Sequence, residues 1–97
     1  MRIIDLIALT ADLNKNAALE ALGGETVYNV TGISPAEDED GVVLTTKLPP
    51  AKPLRHWEFA LLAGKPEIRG QRVRLQAGDA VLPIYGCSFH GGKIVLH

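Results

Sequence analysis

Apolar and polar positions alternate most cleanly between Thr26 and Leu48. Thr26-Val27-Tyr28-Asn29-Val30-Thr31-Gly32-Ile33 leads into Ser34-Pro35-Ala36. Glu37-Asp38-Glu39-Asp40-Gly41 follows, and then Val42-Val43-Leu44-Thr45-Thr46-Lys47-Leu48. Two runs rich in Val, Ile, Thr and Tyr, joined through Pro and Asp-Gly, predict an antiparallel β-hairpin with acids at its tip.

Upstream the period changes. Ile3, Leu6, Ile7, Leu9 and Leu13 recur near every 3.6 residues and predict helix within residues 3–22. Ala17-Ala18-Leu19-Glu20-Ala21-Leu22 consists of strong helix formers and stops at Gly23-Gly24. Asn14-Lys15-Asn16 divides the segment, with Asn16 as the N-cap of a second helix.

Downstream, Pro49-Pro50-Ala51-Lys52-Pro53 excludes a helix interior or central strand and predicts an extended connector. His56 to Gly64 fits two patterns. Trp57, Phe59 and Leu61 alternate as in a strand, whereas Leu54, Trp57 and Leu61 share a helical face. Ala60-Leu61-Leu62-Ala63-Gly64 closes like a helix, so a short helix is preferred. Arg72-Val73-Arg74-Leu75-Gln76 reads as a strand and Ala77-Gly78-Asp79 as a turn. Ala80 to Tyr85 is mostly apolar, with Pro83 marking an edge or bulge. Gly86 to Gly92 reads as a loop before a last strand, Lys93-Ile94-Val95-Leu96-His97. No internal repeat is evident. The expectation is a single α+β domain over residues 1–97: one or two N-terminal helices on an antiparallel sheet of about five strands, with the option of curling toward a barrel.

Composition narrows the function classes. Apolar residues make up 46% of the chain and charged residues 22%, which suits a folded domain rather than a disordered one. The net charge of −1 argues against a generic nucleic-acid binder, which needs surplus Lys and Arg. The charge is unevenly placed: residues 1–50 hold three basic and eight acidic side chains, and residues 51–97 hold seven and three. That −5/+4 split favours docking of the two halves, or of two subunits, on each other. Cys87 is the only cysteine, which suits a reducing compartment. The early apolar run is interrupted by Asp5 and reads as no signal peptide, and no run reaches the roughly 20 residues of a membrane span. The expected location is cytoplasmic, and Asn29-Val30-Thr31 is then not a glycosylation site.

Candidate chemistry is sparse. Glu37-Asp38-Glu39-Asp40 lacks the spacing of a calcium loop and reads as a solvated tip. Cys87, His90, His97 and His56 hold the atoms of a zinc site but offer only one short C-x2-H pair. No metal or cofactor is therefore assigned, no P-loop or dinucleotide fingerprint is present, and no catalytic residue is named. Trp57, Tyr85, Cys87 and His90 are the candidates for a small-ligand or catalytic site. Arg69, Arg72 and Arg74 are the candidates for contact with an anion, a nucleic acid or a protein partner. Lys47 to Pro53 also fits a basic PxxP ligand pattern.

Tyr28-Asn29-Val30-Thr31-Gly32-Ile33 and Gly41-Val42-Val43-Leu44, with the preceding helix and the acidic turn between them, resemble small uncharacterised bacterial, phage and mobile-cassette proteins. The resemblance covers roughly Leu6 to Thr46 and implies a small accessory protein with no catalytic residues. The expected role is binding through protein contacts, with a homodimer joined by strand edges or by sheet faces as the expected state.

Overall fold

Two helices start in the same way. In the computed structural model, which describes all 97 residues, α1 (Ile3–Thr10) follows an extended Arg2 whose backbone N–H donates to the Asp5 carboxylate at 2.8 Å. Helix α2 (His56–Ala63) follows an extended Arg55 whose N–H donates to Glu58 at 2.9 Å. An acid at the third helical position satisfies a donor at the helix entrance and complements the positive end of the helix dipole. Each helix buries one stripe at a spacing of three and four residues: Ile3, Leu6 and Thr10 on α1, and His56, Phe59 and Ala63 on α2. A single turn, α3 (Pro66–Arg69), carries Pro at its start, where the missing N–H costs nothing.

Seven strands form one mixed sheet: β1 (Ala18–Gly23), β2 (Thr26–Pro35), β3 (Val42–Lys47), β4 (Val73–Ala77), β5 (Ala80–Leu82), β6 (Cys87–His90) and β7 (Lys93–Leu96). Their order is β5-β4-β3-β2-β1-β7-β6. The β1–β7 and β3–β4 pairs are parallel and the rest antiparallel. The α+β class therefore stands, but the sheet is larger than expected and is not purely antiparallel. No ladder joins β5 to β6, so the sheet is not closed into a barrel, although only residues 83–86 separate these end strands. Leu19, Ala21, Val30, Leu44, Leu75, Ile94 and Leu96 meet Ile3, Leu6 and Phe59 from the helices in one core. Each large side chain fully buried there contributes about 1.5–3 kcal/mol.

Two segments differ from the sequence reading. Residues 17–22 were expected to be helical, but 18–23 are β1, an interior strand flanked by β2 and β7. Leu19 and Ala21 point into the core while Glu20 and Leu22 face outward, and neighbours on both sides supply the backbone partners. Burial at period 2 outweighs the few tenths of a kcal/mol per residue that separate Ala and Leu from strand formers. Residues 87–90 were expected in a loop and form β6. Gly91 and Gly92, with φ of 56° and 78°, make the two-residue hairpin turn that only glycine accommodates cheaply. The acid-tipped hairpin, the Pro-rich connector and helix 56–63 lie where the pattern placed them.

Candidate functional site

The helix pair carries the main apolar surface. Beside the core stripe of α1, Ile4, Ala8 and Ala11 are exposed at helical spacing, and Ile7 lies between them and the core. On α2 the corresponding side presents Trp57, Ala60 and Leu61. Trp57 is 47% exposed, Leu61 67% and Ile4 44%. Between the helices lies an open cleft of about 300 Å³, lined by Ile7, Ala11, Trp57, Ala60 and Leu61, with His56 and Lys15. His56 is buried, and its Nδ1 lies 3.3 Å from the Asn14 carbonyl. The backbone carbonyl of Lys15 accepts the Trp57 N–H at 3.0 Å, which fixes the start of α2 against the end of the α1 loop.

The residues singled out from sequence do not converge. Trp57 lines the helix cleft. Tyr85 is 81% exposed and lies beside Met1, Pro83 and Ile84, on the run between β5 and β6. Cys87 and His90 are both on β6, three residues apart, so they point to opposite sheet faces: Cys87 toward the core and His90 outward. They cannot share one metal ion or act as a nucleophile–base pair without rebuilding the strand. Partial burial also pushes the Cys87 thiol above its ordinary pKa, which suppresses the nucleophilic thiolate. The structure groups no three His, Cys, Asp or Glu side chains as metal ligands.

The arginines separate too. Arg74 faces outward on β4 and meets the acidic tip: its Nη2 lies 2.6 Å from Asp38 and its Nε 3.1 Å from Glu39. The hydrogen bond from Arg74 holds the Asp38 carboxyl below its ordinary value. Arg72 precedes β4, next to Arg2, Glu39, Asp40 and Gln71 around a cleft of mixed charge. Arg69 ends α3. The acidic and basic halves also meet at Lys93 and Glu20, 3.1 Å apart. These pairings join the two halves within one chain, and they leave no single cationic strip for a nucleic-acid backbone.

Ile4, Ile7, Ala11, Lys15, Ala60 and Leu61 are the site residues that the sequence reading missed. Their signal was present: the apolar face of α1 continues past its core stripe through Ile7 to Ile4 and Ala11, wider than the core alone needs. No helix is long and apolar enough to cross a membrane. Comparison with protein-family models, curated proteins and solved structures returned no match.

Proposed function

We propose that this chain is a small non-enzymatic accessory protein that works through protein contacts, as a homodimer joined through the α1/α2 face. The observation that carries this reading is the exposed apolar surface around the helix cleft. That face holds both a projection, Trp57 with Leu61, and a receiving groove between Ile7, Ala11 and Ala60. An isologous two-fold contact needs both on one patch, because each subunit must supply what the other receives. Aromatic anchors seated in apolar grooves are what carry binding energy at such contacts. The polar rim supports the same reading, since Lys15 at the cleft makes no ion pair within its own chain.

Light scattering tests it. The expected mass is twice 10.4 kDa, and Leu61→Glu is expected to give a monomer with an unchanged circular dichroism spectrum. Trp57 is the only tryptophan, so its emission should shift to the red as the dimer is diluted apart. A wild-type monomer at the highest soluble concentration overturns the reading, as does a dimer indifferent to Leu61→Glu.

A further inference from the structure

The helix entrances are alike because much more is alike. We infer that the chain folds as a two-fold pair of equivalent units, residues 1–47 and 54–97, each a helix, a connector and three strand positions; in the second unit the connector holds the turn α3 and the middle strand is split into β5 and β6. The helices correspond as Arg2 to Arg55, with the same buried stripe: Ile3, Leu6 and Thr10 against His56, Phe59 and Ala63. The first strands correspond as Ala18 to Arg72 and β1 to β4. The middle strand is β2 in one unit and the run Ala80–His90 in the other. The last strands are β3 and β7.

The backbone exchanges between units are reciprocal. Arg2 bridges Arg72, and Arg55 bridges Ala18. Ile3 N–H donates to Gln71, and His56 N–H to Ala17, both at 2.8 Å. Val73 donates to Met1 at 3.0 Å, and Leu19 to Leu54 at 2.9 Å. The Arg2 guanidinium donates to the Gly70 carbonyl at 2.6 Å, and that of Arg55 to Asn16 at 2.7 Å. Each unit's last strand pairs in parallel with the other unit's first: Val42, Val43 and Leu44 with Val73, Arg74 and Leu75, and Ile94, Val95 and Leu96 with Leu19, Glu20 and Ala21. The antiparallel ladders also repeat. Leu22↔Val27 and Gln76↔Val81 match in the first hairpin, and Ser34↔Val43 and Ser88↔Val95 in the second. Gly24 and Gly78 make the same turn, with φ of 65° and 62°.

This correspondence also explains why β5 and β6 are separate. Pro83 stands where β2 has Asn29, the residue that faces both Glu20 and Lys47. Proline has no N–H to give and interrupts the second unit's middle strand there. The two parallel pairs, both between units, are the joints of an intrachain dimer.

A circular permutant tests the inference without removing any residue. It begins at Ala51, runs to His97, continues through a Gly/Ser linker to Met1 and ends at Pro50. Thr45 corresponds to His97 and Leu54 to Met1, so the linker should match residues 46–53 in length, which is eight. The eight-residue permutant is expected to keep the circular dichroism spectrum and cooperative melting of the parent, and a two-residue linker to abolish both. An unfolded eight-residue permutant, or equal folding with two residues, overturns the inference. A second measurement needs no permutation: Arg2→Ala and Arg55→Ala should lower the melting midpoint equally, within about 3 °C. A large effect of one beside none of the other overturns the equivalence. Neither readout depends on the docking face, so failure here is distinguishable from failure of the dimer reading.

Discussion

The two units share their backbone exchanges and differ in what they show to solvent. At the hairpin between middle and last strands, the first unit turns through Glu37-Asp38-Glu39-Asp40 and the second through Gly91-Gly92. On the outer helix face, Ile4 and Ala8 in the first unit stand where the second has Trp57 and Leu61. At the outward position of the first strand the sign reverses, with Glu20 paired to Lys93 and Arg74 paired to Asp38. The shared features set how the units interlock, and the differences make the two surfaces distinct. The uneven charge along the chain is then complementarity between two docked units, and the one exposed tryptophan marks the unit that projects.

The largest effects are expected in the core. Leu6 and Phe59 occupy equivalent positions and are both almost fully buried. Leu6→Ala is expected to cost about 2–5 kcal/mol and Phe59→Ala about 3–5 kcal/mol, read from chemical denaturation midpoints. A loss confined to one of them would mean that only one unit builds the core.

The matched turns come next. Gly24→Ala and Gly78→Ala each force a side chain into the left-handed region, at about 1–2 kcal/mol. An added Cβ meets nothing at Gly24 and only the Tyr28 hydroxyl, at 3.4 Å, at Gly78. Both costs are therefore conformational and should agree. A clear difference between the two would show that the turns are not equivalent in solution.

How much of this was visible along the chain follows from which signals are local. The 26–35/42–47 hairpin was legible because its alternation and its turn residues agree. The strand at 18–23 was not, because Ala, Leu and Glu favour helix locally and only the neighbours β2 and β7 decide otherwise. The strand at 87–90 was hidden by three surrounding glycines that turn out to be its turn and its entrance. The repeat is masked along the chain because its core partners differ chemically, as with Ile3 and His56, and because the turn lengths shift the register. Its traces are Arg-x-x-acid across each helix start, Gly24 with Gly78, Gly32 with Gly86, and Ser34 with Ser88. Of the cleft's lining only Trp57 and, for a different chemistry, His56 were named from sequence, since a cleft between two helices depends on how they pack.

The acidic turn is expected to give a smaller effect. Replacing Glu37–Asp40 by Gly-Gly copies the second unit's turn onto the first. Exposed ion pairs contribute little and are screened by salt. The variant should fold, with a midpoint shift below that of either glycine substitution, and the shift should vanish in molar salt. A collapse of the fold would mean that the tip does more than pair with Arg74; its cover over Val43, buried on the outward face of β3, would be the first suspect.

Acid titration of that same pair is the finest test. Arg74 stays cationic throughout, and its hydrogen bond lowers the Asp38 pKa in the folded state. A carboxylate with a depressed folded pKa releases its proton more readily when folded than when unfolded. Its stabilising contribution is therefore present above the unfolded value and is lost as pH falls through the folded one. Below about pH 4 the wild type should lose stability more steeply than the Gly-Gly variant, and the two curves should run parallel at neutral pH. Molar salt should remove the difference, because the Asp38 carboxylate is exposed to solvent. If the curves stay parallel through the acid range, the Asp38–Arg74 contact does not hold the tip in solution. The charge reversal between the units would then be a difference in composition without an energetic role.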